Sequence, residues 1–343
     1  MRTVIRRFAL AIILVFLHSQ ASGDEAIFPK QRILVVVGAE GQEEYGQMFR
    51  KWVDQWRYAA DAAQAHLQVI GESVDDTADR EQIAAALRRQ SKDGSDLFWL
   101  VLIGHGTYDG NSAKFNLRGV DVTAEELAEW LAPIQSPTVV INCASSSGPF
   151  LNQLSADGRI VITATRSGYE LNFARFGQFI AGATTDPQAD LDKDDQVSLL
   201  EAYLTACRRV EEFYEEDARL ATEHALLDDN GDGLGTPASW FRGLRATQRA
   251  KEGAELDGVR AHQAHLVASD REARMPVELR KRRDALELEL EAIREQKPKL
   301  DEEEYYSQLE SLMLKLATVY QSAEADSEAP ENGQTDTPAE SSD

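Results

Sequence analysis

Apolar residues follow two rhythms along this chain. Short unbroken runs, RILVVV, HLQVI, LFWLVLI, TVVI and RIVIT, are rich in β-branched side chains and end at glycine, polar or turn residues. Runs of that length and content predict strands buried on both faces. Between them lie segments with apolar residues three and four apart, over 43–64, 78–90 and 122–134, and these predict amphipathic helices. In the last of them Thr123 precedes Glu126 by three residues, the spacing of a capping box. Strands alternating with helices predict an α/β domain, with a mainly parallel sheet covered on both faces.

The pattern changes after residue 184. Two acidic, turn-rich stretches flank one long helical segment, LLEAYLTACRRVEEFY. Further on, Leu279, Leu286, Leu290 and Ile293 fall at heptad-like spacing. Pro298 interrupts the series, and Tyr305, Leu309, Leu312, Leu316 and Val319 resume it. Two helices meeting at a proline predict a hairpin or a self-associating coiled coil. The expected organisation is a signal segment over 1–23, a linker over 24–31, an α/β domain over 32–245, a helical linker over 246–274, a helical pair over 275–320 and a disordered acidic tail over 321–343. The tail has no Lys or Arg and is rich in Ser, Thr and Pro.

Composition adds two constraints. The net charge of −23 over 343 residues argues against nucleic-acid or anionic-membrane partners, which select a basic surface. At the start of the chain, Arg2, Arg6 and Arg7 precede an apolar run from Phe8 to Leu17, followed by the small residues Ala21, Ser22 and Gly23. That is the pattern of a cleaved secretory signal, so export is expected, without stable membrane insertion afterwards. The two cysteines, Cys143 and Cys207, make no disulfide framework.

Reactive side chains in a parallel sheet collect at the carboxyl ends of the strands. The third run ends in Gly104-His105-Gly106 and the fourth in Cys143. A histidine facing a cysteine across one sheet edge makes a thiol nucleophilic near neutral pH. Glycines beside the histidine allow substrate to approach, and the Gly106 N–H is a candidate oxyanion donor. Ser145, Ser146 and Ser147 offer a rival serine nucleophile, ranked below the thiol because no Gly-x-Ser-x-Gly elbow is present.

LVLIGHGTYDG, then VVINCASSSGPF, then IVITATRSGYE, resemble the caspase–legumain clan of cysteine peptidases, nearest the legumain-type branch and its bacterial relatives. The resemblance spans residues 32–183. It implies a caspase-like three-layer sandwich and an endopeptidase acting on peptide or protein substrates without an organic cofactor. His105 would be the acid or base, Cys143 the nucleophile and Gly106 an oxyanion donor. The chain departs from the pattern at Asn142, where relatives have a small residue, and in the serine-rich loop that follows the cysteine. Arg166 stands where relatives build a substrate pocket and would select an acidic or amide side chain; Asp109 or Glu170 would select a basic one. Two other readings stay open: a catalytically inactive binding scaffold working through its C-terminal helices, and a transpeptidase or ligase on the same dyad.

ADLDKDDQVSLLEA places Asp190, Asp192, Asp194, Gln196, Ser198 and Glu201 at positions 1, 3, 5, 7, 9 and 12 of an EF-hand-type loop. Asp195 replaces the usual glycine at position six. A structural calcium ion is expected there. Asp228, Asp229, Asn230 and Asp232 form half of such a loop and lack its terminal acid.

Overall fold

The computed structural model describes residues 31–73, 78–90, 97–251 and 255–328. The signal segment, all of the linker but Gln31 and the end of the tail lie outside these residues. The strands are β1 (Gln31–Val37), β2 (His66–Ile70), β3 (Leu97–Ile103), β4 (Gly106–Tyr108), β5 (Ala113–Phe115), β6 (Val122–Thr123), β7 (Thr138–Asn142), β8 (Arg159–Thr163), β9 (Leu226–Asp228), β10 (Thr236–Pro237), β11 (Phe241–Arg242) and β12 (Arg245–Ala246). The helices are α1 (Glu43–Ala62), α2 (Asp79–Arg88), α3 (Ala124–Leu131), α4 (Gly148–Leu154), α5 (Phe176–Ala183), α6 (Leu199–Glu216), α7 (Val259–Gln263), α8 (Asp270–Arg274), α9 (Val277–Gln296) and α10 (Glu302–Glu328).

A seven-stranded sheet in the order β10-β9-β8-β7-β3-β1-β2 forms the middle layer of an α/β sandwich. The five strands from β2 to β8 are parallel, while β9 and β10 run antiparallel at one edge. The five parallel strands coincide with the five apolar runs. β9 and β10 are two or three residues long, too short to carry a period of their own.

The strand alternation sorts the core into two layers. Ile33, Val35, Val37, Trp99, Val101, Ile103 and Ile141 face Phe49, Trp52 and Trp56 of α1, Ile180 of α5 and Leu200 and Tyr203 of α6. Leu34, Val36, Leu100, Leu102 and Val140 face Ile83 and Leu87 of α2, Leu127 and Leu131 of α3 and Phe150 and Leu154 of α4. Trp56 and Trp99 are wholly buried, each contributing about 3 kcal/mol of transfer free energy. The Trp99 Nε1–H donates to Gln31 Oε1, and Gln31 Nε2 donates to the carbonyls of His265 and Leu266, which ties the start of the sheet to the later chain. The expected capping box is present: the Thr123 hydroxyl accepts from Glu126 N and the Glu126 carboxylate from Thr123 N.

The helical extension folds back on the same chain. Leu286 and Leu290 of α9 pack against Leu312, Leu316 and Val319 of α10, with Pro298 in the connection. The hairpin is fixed to the body by Arg245–Glu291 and Arg249–Glu295, and Glu272 forms a buried pair with each of Arg280 and Arg283. α10 continues to Glu328 and so takes in the first eight residues of the expected acidic tail, which starts at residue 321. Cys143 and Cys207 are both buried free thiols.

One titration is built into this frame. His265 is buried next to α8, and loss of hydration pushes its imidazole down to about 4. A histidine depressed when folded has the same protonation in both states above its unfolded value near 6.5. Below that, the unfolded chain takes up the proton first, and stability falls until the folded value is reached. Denaturant unfolding is therefore expected to show a loss approaching about 3 kcal/mol from this group between pH 6.5 and 4, and His265→Gln is expected to flatten the profile.

Candidate active site at the carboxyl edge of the sheet

β3 ends at Ile103, and the chain turns through Gly104 and His105 into β4. The turn is tight: a Cβ on Gly104 would stand 3.0 Å from the Phe115 ring, and one on Gly106 would stand 2.2 Å from the Ser145 carbonyl oxygen. Both glycines serve close approach of backbone. His105 emerges on the α1 side, half-buried among Tyr45, Phe49 and Phe173, with ring centroids 4.8, 5.4 and 5.6 Å away. This aromatic setting pushes its imidazole below the ordinary value through desolvation, partly offset by the carbonyl of Glu40. His105 is consequently neutral at pH 7. Its Nε2 lies 3.3 Å from the Glu40 carbonyl oxygen. A carbonyl only accepts, so this contact assigns the proton to Nε2 and leaves the Nδ1 lone pair as the basic site.

His105 and Cys143, the expected pair, share no hydrogen bond among the described residues. β7 lies beside β3 in parallel register, with Leu102 opposite Asn142. The Cys143 N–H donates to the Leu102 carbonyl at 2.9 Å. Cys143 therefore sits beside the end of β3, before the chain turns through Gly104 to His105. Its side chain enters the core beneath α5: its Cβ would lie 2.9 Å from a Cβ on Gly177, and the residue is 1% exposed. Burial, with the nearby Glu223 carboxylate, drives its thiol far above the usual range, so Cys143 is an un-ionised core residue. Among the described residues no hydrogen bond joins it to His105.

Beyond Cys143 the loop brings Ser145 against Gly106, the residue next to His105. Ser145 Oγ donates to the Gly106 carbonyl at 3.2 Å and lies 3.4 Å from Gly106 N. The rest of the loop is pinned around it. Asn142 Oδ1 accepts from Ala144 N, Ser146 N donates to the Glu170 carbonyl, and the Ser147 hydroxyl accepts from Thr165 N. Ser146 holds φ at +53°, an unfavourable conformation for a non-glycine residue, and its buried hydroxyl has no partner among the described residues. The contact of its hydroxyl with Gly106 singles out Ser145; the serine-rich composition alone is ambiguous.

The expected specificity residues are engaged internally. Arg166 pairs with Glu170 at 3.1 Å, and the Glu170 carboxylate also accepts from Arg166 N and His224 N and contacts His224 Nδ1 at 2.6 Å. Glu170 is thus a clasp between the loop after β8 and the approach to β9, rather than a free acid for a basic substrate. Asp109 accepts from Ser112 N and Asn111 N, which holds its own turn and lowers its carboxyl below the usual range. The sequence did not single out Tyr108 and Tyr169, which meet edge to face at 5.2 Å; Tyr169 is 73% exposed at the mouth of the site.

In the acidic loop, one carboxylate oxygen from each of Asp190, Asp192 and Asp194 lies within 4.8 Å of the others. Asp195 takes φ of +70°, the left-handed conformation that glycine would supply at that position. Burial and the neighbouring carboxylates raise Asp194. Asp190, Asp192 and Asp194 are the residues that could hold a hard divalent cation here. Glu201 is not part of the cluster: its carboxylate accepts from Leu191 N and Ser198 N and caps α6. The Gln196 side chain turns to Asp194 and to Ser269 N. The second acidic stretch closes on itself, since Asp228 accepts from Gly231 N and Gly233 N and Asp229 from Gly258 N and Ala261 N.

No protein-family model and no curated protein matches this chain. Solved structures do. The Drosophila initiator caspase Dronc is 13% identical, over 67% of this chain and 93% of that one, with a TM-score of 0.42. Caspase-1 from Spodoptera frugiperda is 9% identical, over 59% and 87%, with a TM-score of 0.42.

The burial of both cysteines has a direct consequence. Ellman titration of the native protein at pH 8 is expected to find neither Cys143 nor Cys207 reactive, and both after denaturation. Rapid reaction of one thiol without denaturant would contradict the placement of Cys143. Gly106→Ala is expected to lower unfolding stability by about 1–3 kcal/mol, because the new methyl meets backbone that has little room to move.

Proposed function

We propose that this chain is an exported hydrolase of caspase-like fold that cleaves amide bonds in peptide or protein substrates at the carboxyl edge of its sheet. The observation that carries this reading is His105: a neutral imidazole at the mouth of the sheet, its tautomer held by the Glu40 carbonyl and its Nδ1 left basic. A base fixed in this way removes a proton from an attacking group and returns it to the leaving nitrogen. Tyr108, Tyr169 and the main chain of Gly106 border the approach. The signal pattern over residues 1–23 supports export.

Calcium held by Asp190, Asp192 and Asp194 is a structural part of the proposal. The ion would neutralise three clustered carboxylates and fix the entry to α6. It would not take part in the chemistry, because that loop belongs to the helical layer rather than to the sheet edge.

The scaffold reading keeps one observation in its favour, since the cysteine expected to be the nucleophile is buried. Activity separates the two readings. With fluorescein-labelled casein as substrate, His105→Ala is expected to lower the rate about 10²–10⁴-fold while the melting temperature is retained. Equal rates in the two proteins would favour the scaffold. Millimolar calcium is expected to raise the melting temperature over that in EDTA, by about 2.7 kcal/mol of linkage if the concentration is about 100 times Kd. Asp190→Asn combined with Asp194→Asn is expected to abolish the shift.

A further inference from the structure

We propose that Ser145 is the nucleophile of this site, making it a serine-type acyl hydrolase rather than a thiol enzyme; the inference rests on the hydrolase reading given above. Three features converge on this residue. The loop after β7 brings Ser145 against Gly106, the neighbour of His105, whereas Cys143 is held at the end of β7 in the core. Its hydroxyl rests against the main chain of Gly106, the residue next to the base. Ser145 is a buried residue whose N–H donates to no acceptor among the described residues, and the Gly106 N–H has only the long 3.4 Å hydrogen bond to Ser145 Oγ. A buried N–H without an acceptor is costly in a finished fold. The Ser145 N–H, with the Gly106 N–H once the Ser145 hydroxyl leaves it, would supply the two donors a developing oxyanion requires.

Glu170 and Thr165 hold the loop in place. The Glu170 carbonyl accepts from Ser146 N, and Thr165 Oγ1 accepts from Gly148 N, so the segment on either side of the +53° turn at Ser146 is fixed to the loop after β8. The strain at Ser146 is supported by these contacts and directs the preceding residue, Ser145, toward Gly106.

The reaction balances with water as the only co-reactant. Ser145 Oγ forms a bond to the substrate carbonyl carbon while its proton passes to His105 Nδ1 and an electron pair moves onto the carbonyl oxygen. The tetrahedral species then collapses, the carbon–nitrogen bond breaks, and His105 gives the proton to the departing amine. Solvent water, deprotonated by His105, attacks the seryl ester, releases the carboxylic acid and restores the serine hydroxyl.

The test uses the purified full chain with two reagents, a fluorophosphonate for activated hydroxyls and iodoacetamide for thiols, and maps adducts by tandem mass spectrometry. The expected result is fluorophosphonate on Ser145, reduced about 100-fold or more in Ser145→Ala and His105→Ala and within about twofold of wild type in Cys143→Ala. Ser145→Cys guards against a misfolded alanine variant: it is expected to lose fluorophosphonate labelling and to gain an iodoacetamide adduct at residue 145. No fluorophosphonate on Ser145 overturns the proposal. So does casein cleavage that persists in Ser145→Ala and disappears in Cys143→Ala. The hydrolase reading survives that second result, and it falls if cleavage is also indifferent to His105→Ala.

Discussion

The alignment of β7 against β3 is the constraint on which the site depends. Leu102 lies opposite Asn142, and the Cys143 N–H closes on the Leu102 carbonyl. A strand register is not adjustable by one or two residues, because a one-residue slip exchanges the two faces of the strand. Here the faces are filled. Val139 and Ile141 belong to the layer under α1 and α5, and Val140 to the opposite layer under α3 and α4. Sliding β7 upward by two residues would keep the faces but carry Cys143 out from beneath Gly177 and pull the polar Asn142 along with it. The core therefore fixes where β7 ends and the serine-rich loop beside Gly106 begins.

Around that alignment, acidic residues serve as internal clasps rather than as substrate selectors. Glu170 joins the loop after β8 to His224. Glu223, the neighbouring position, accepts from Arg175 N and Phe176 N at the start of α5 and from the Tyr214 hydroxyl. Its burial, only partly compensated by these donors, raises its carboxyl above the ordinary value. One short segment, 223–224, thus anchors both the wall of the site and the helix that covers Cys143. The strongly negative surface of the chain hides this division of labour in the sequence, where all acids look alike.

The layers of the fold were legible because period and composition agree there. Five continuous apolar runs became five parallel strands, and the Thr123–Glu126 spacing became a capping box. The hairpin at Pro298 followed from the heptad spacing of Leu286, Leu290, Leu312 and Leu316. His105 was legible as well, since glycines on both sides of a polar residue at a strand end mark a place where backbone must come close. The burial of Cys143 was not, because a cysteine at the end of a strand can face either the core or the sheet edge, and only the packing of α5 over it decides. The pairing of Arg166 with Glu170 was hidden for a related reason: the sequence displays their charges but not their contact. The partners of Glu201 were hidden likewise, a carboxylate that fits a calcium loop at position twelve fitting a capping box with Ser198 equally well.

A hydroxyl in the place of a thiol changes what the rest of the site must do. A thiol next to a base ionises before attack, whereas a serine hydroxyl stays protonated until the transition state and needs its base aligned throughout. The fixed tautomer of His105 meets that need, because the Glu40 carbonyl removes the choice of which nitrogen is basic. Ser145 at rest donates to the Gly106 carbonyl, so attack begins with rotation about one side-chain bond between staggered wells and the exchange of one hydrogen bond for another. That exchange costs about 1 kcal/mol, small beside the barrier lowering expected of an aligned base and two oxyanion donors. A resting hydroxyl parked on Gly106 is therefore compatible with turnover, and it keeps the nucleophile satisfied in a buried site until an acyl group displaces it.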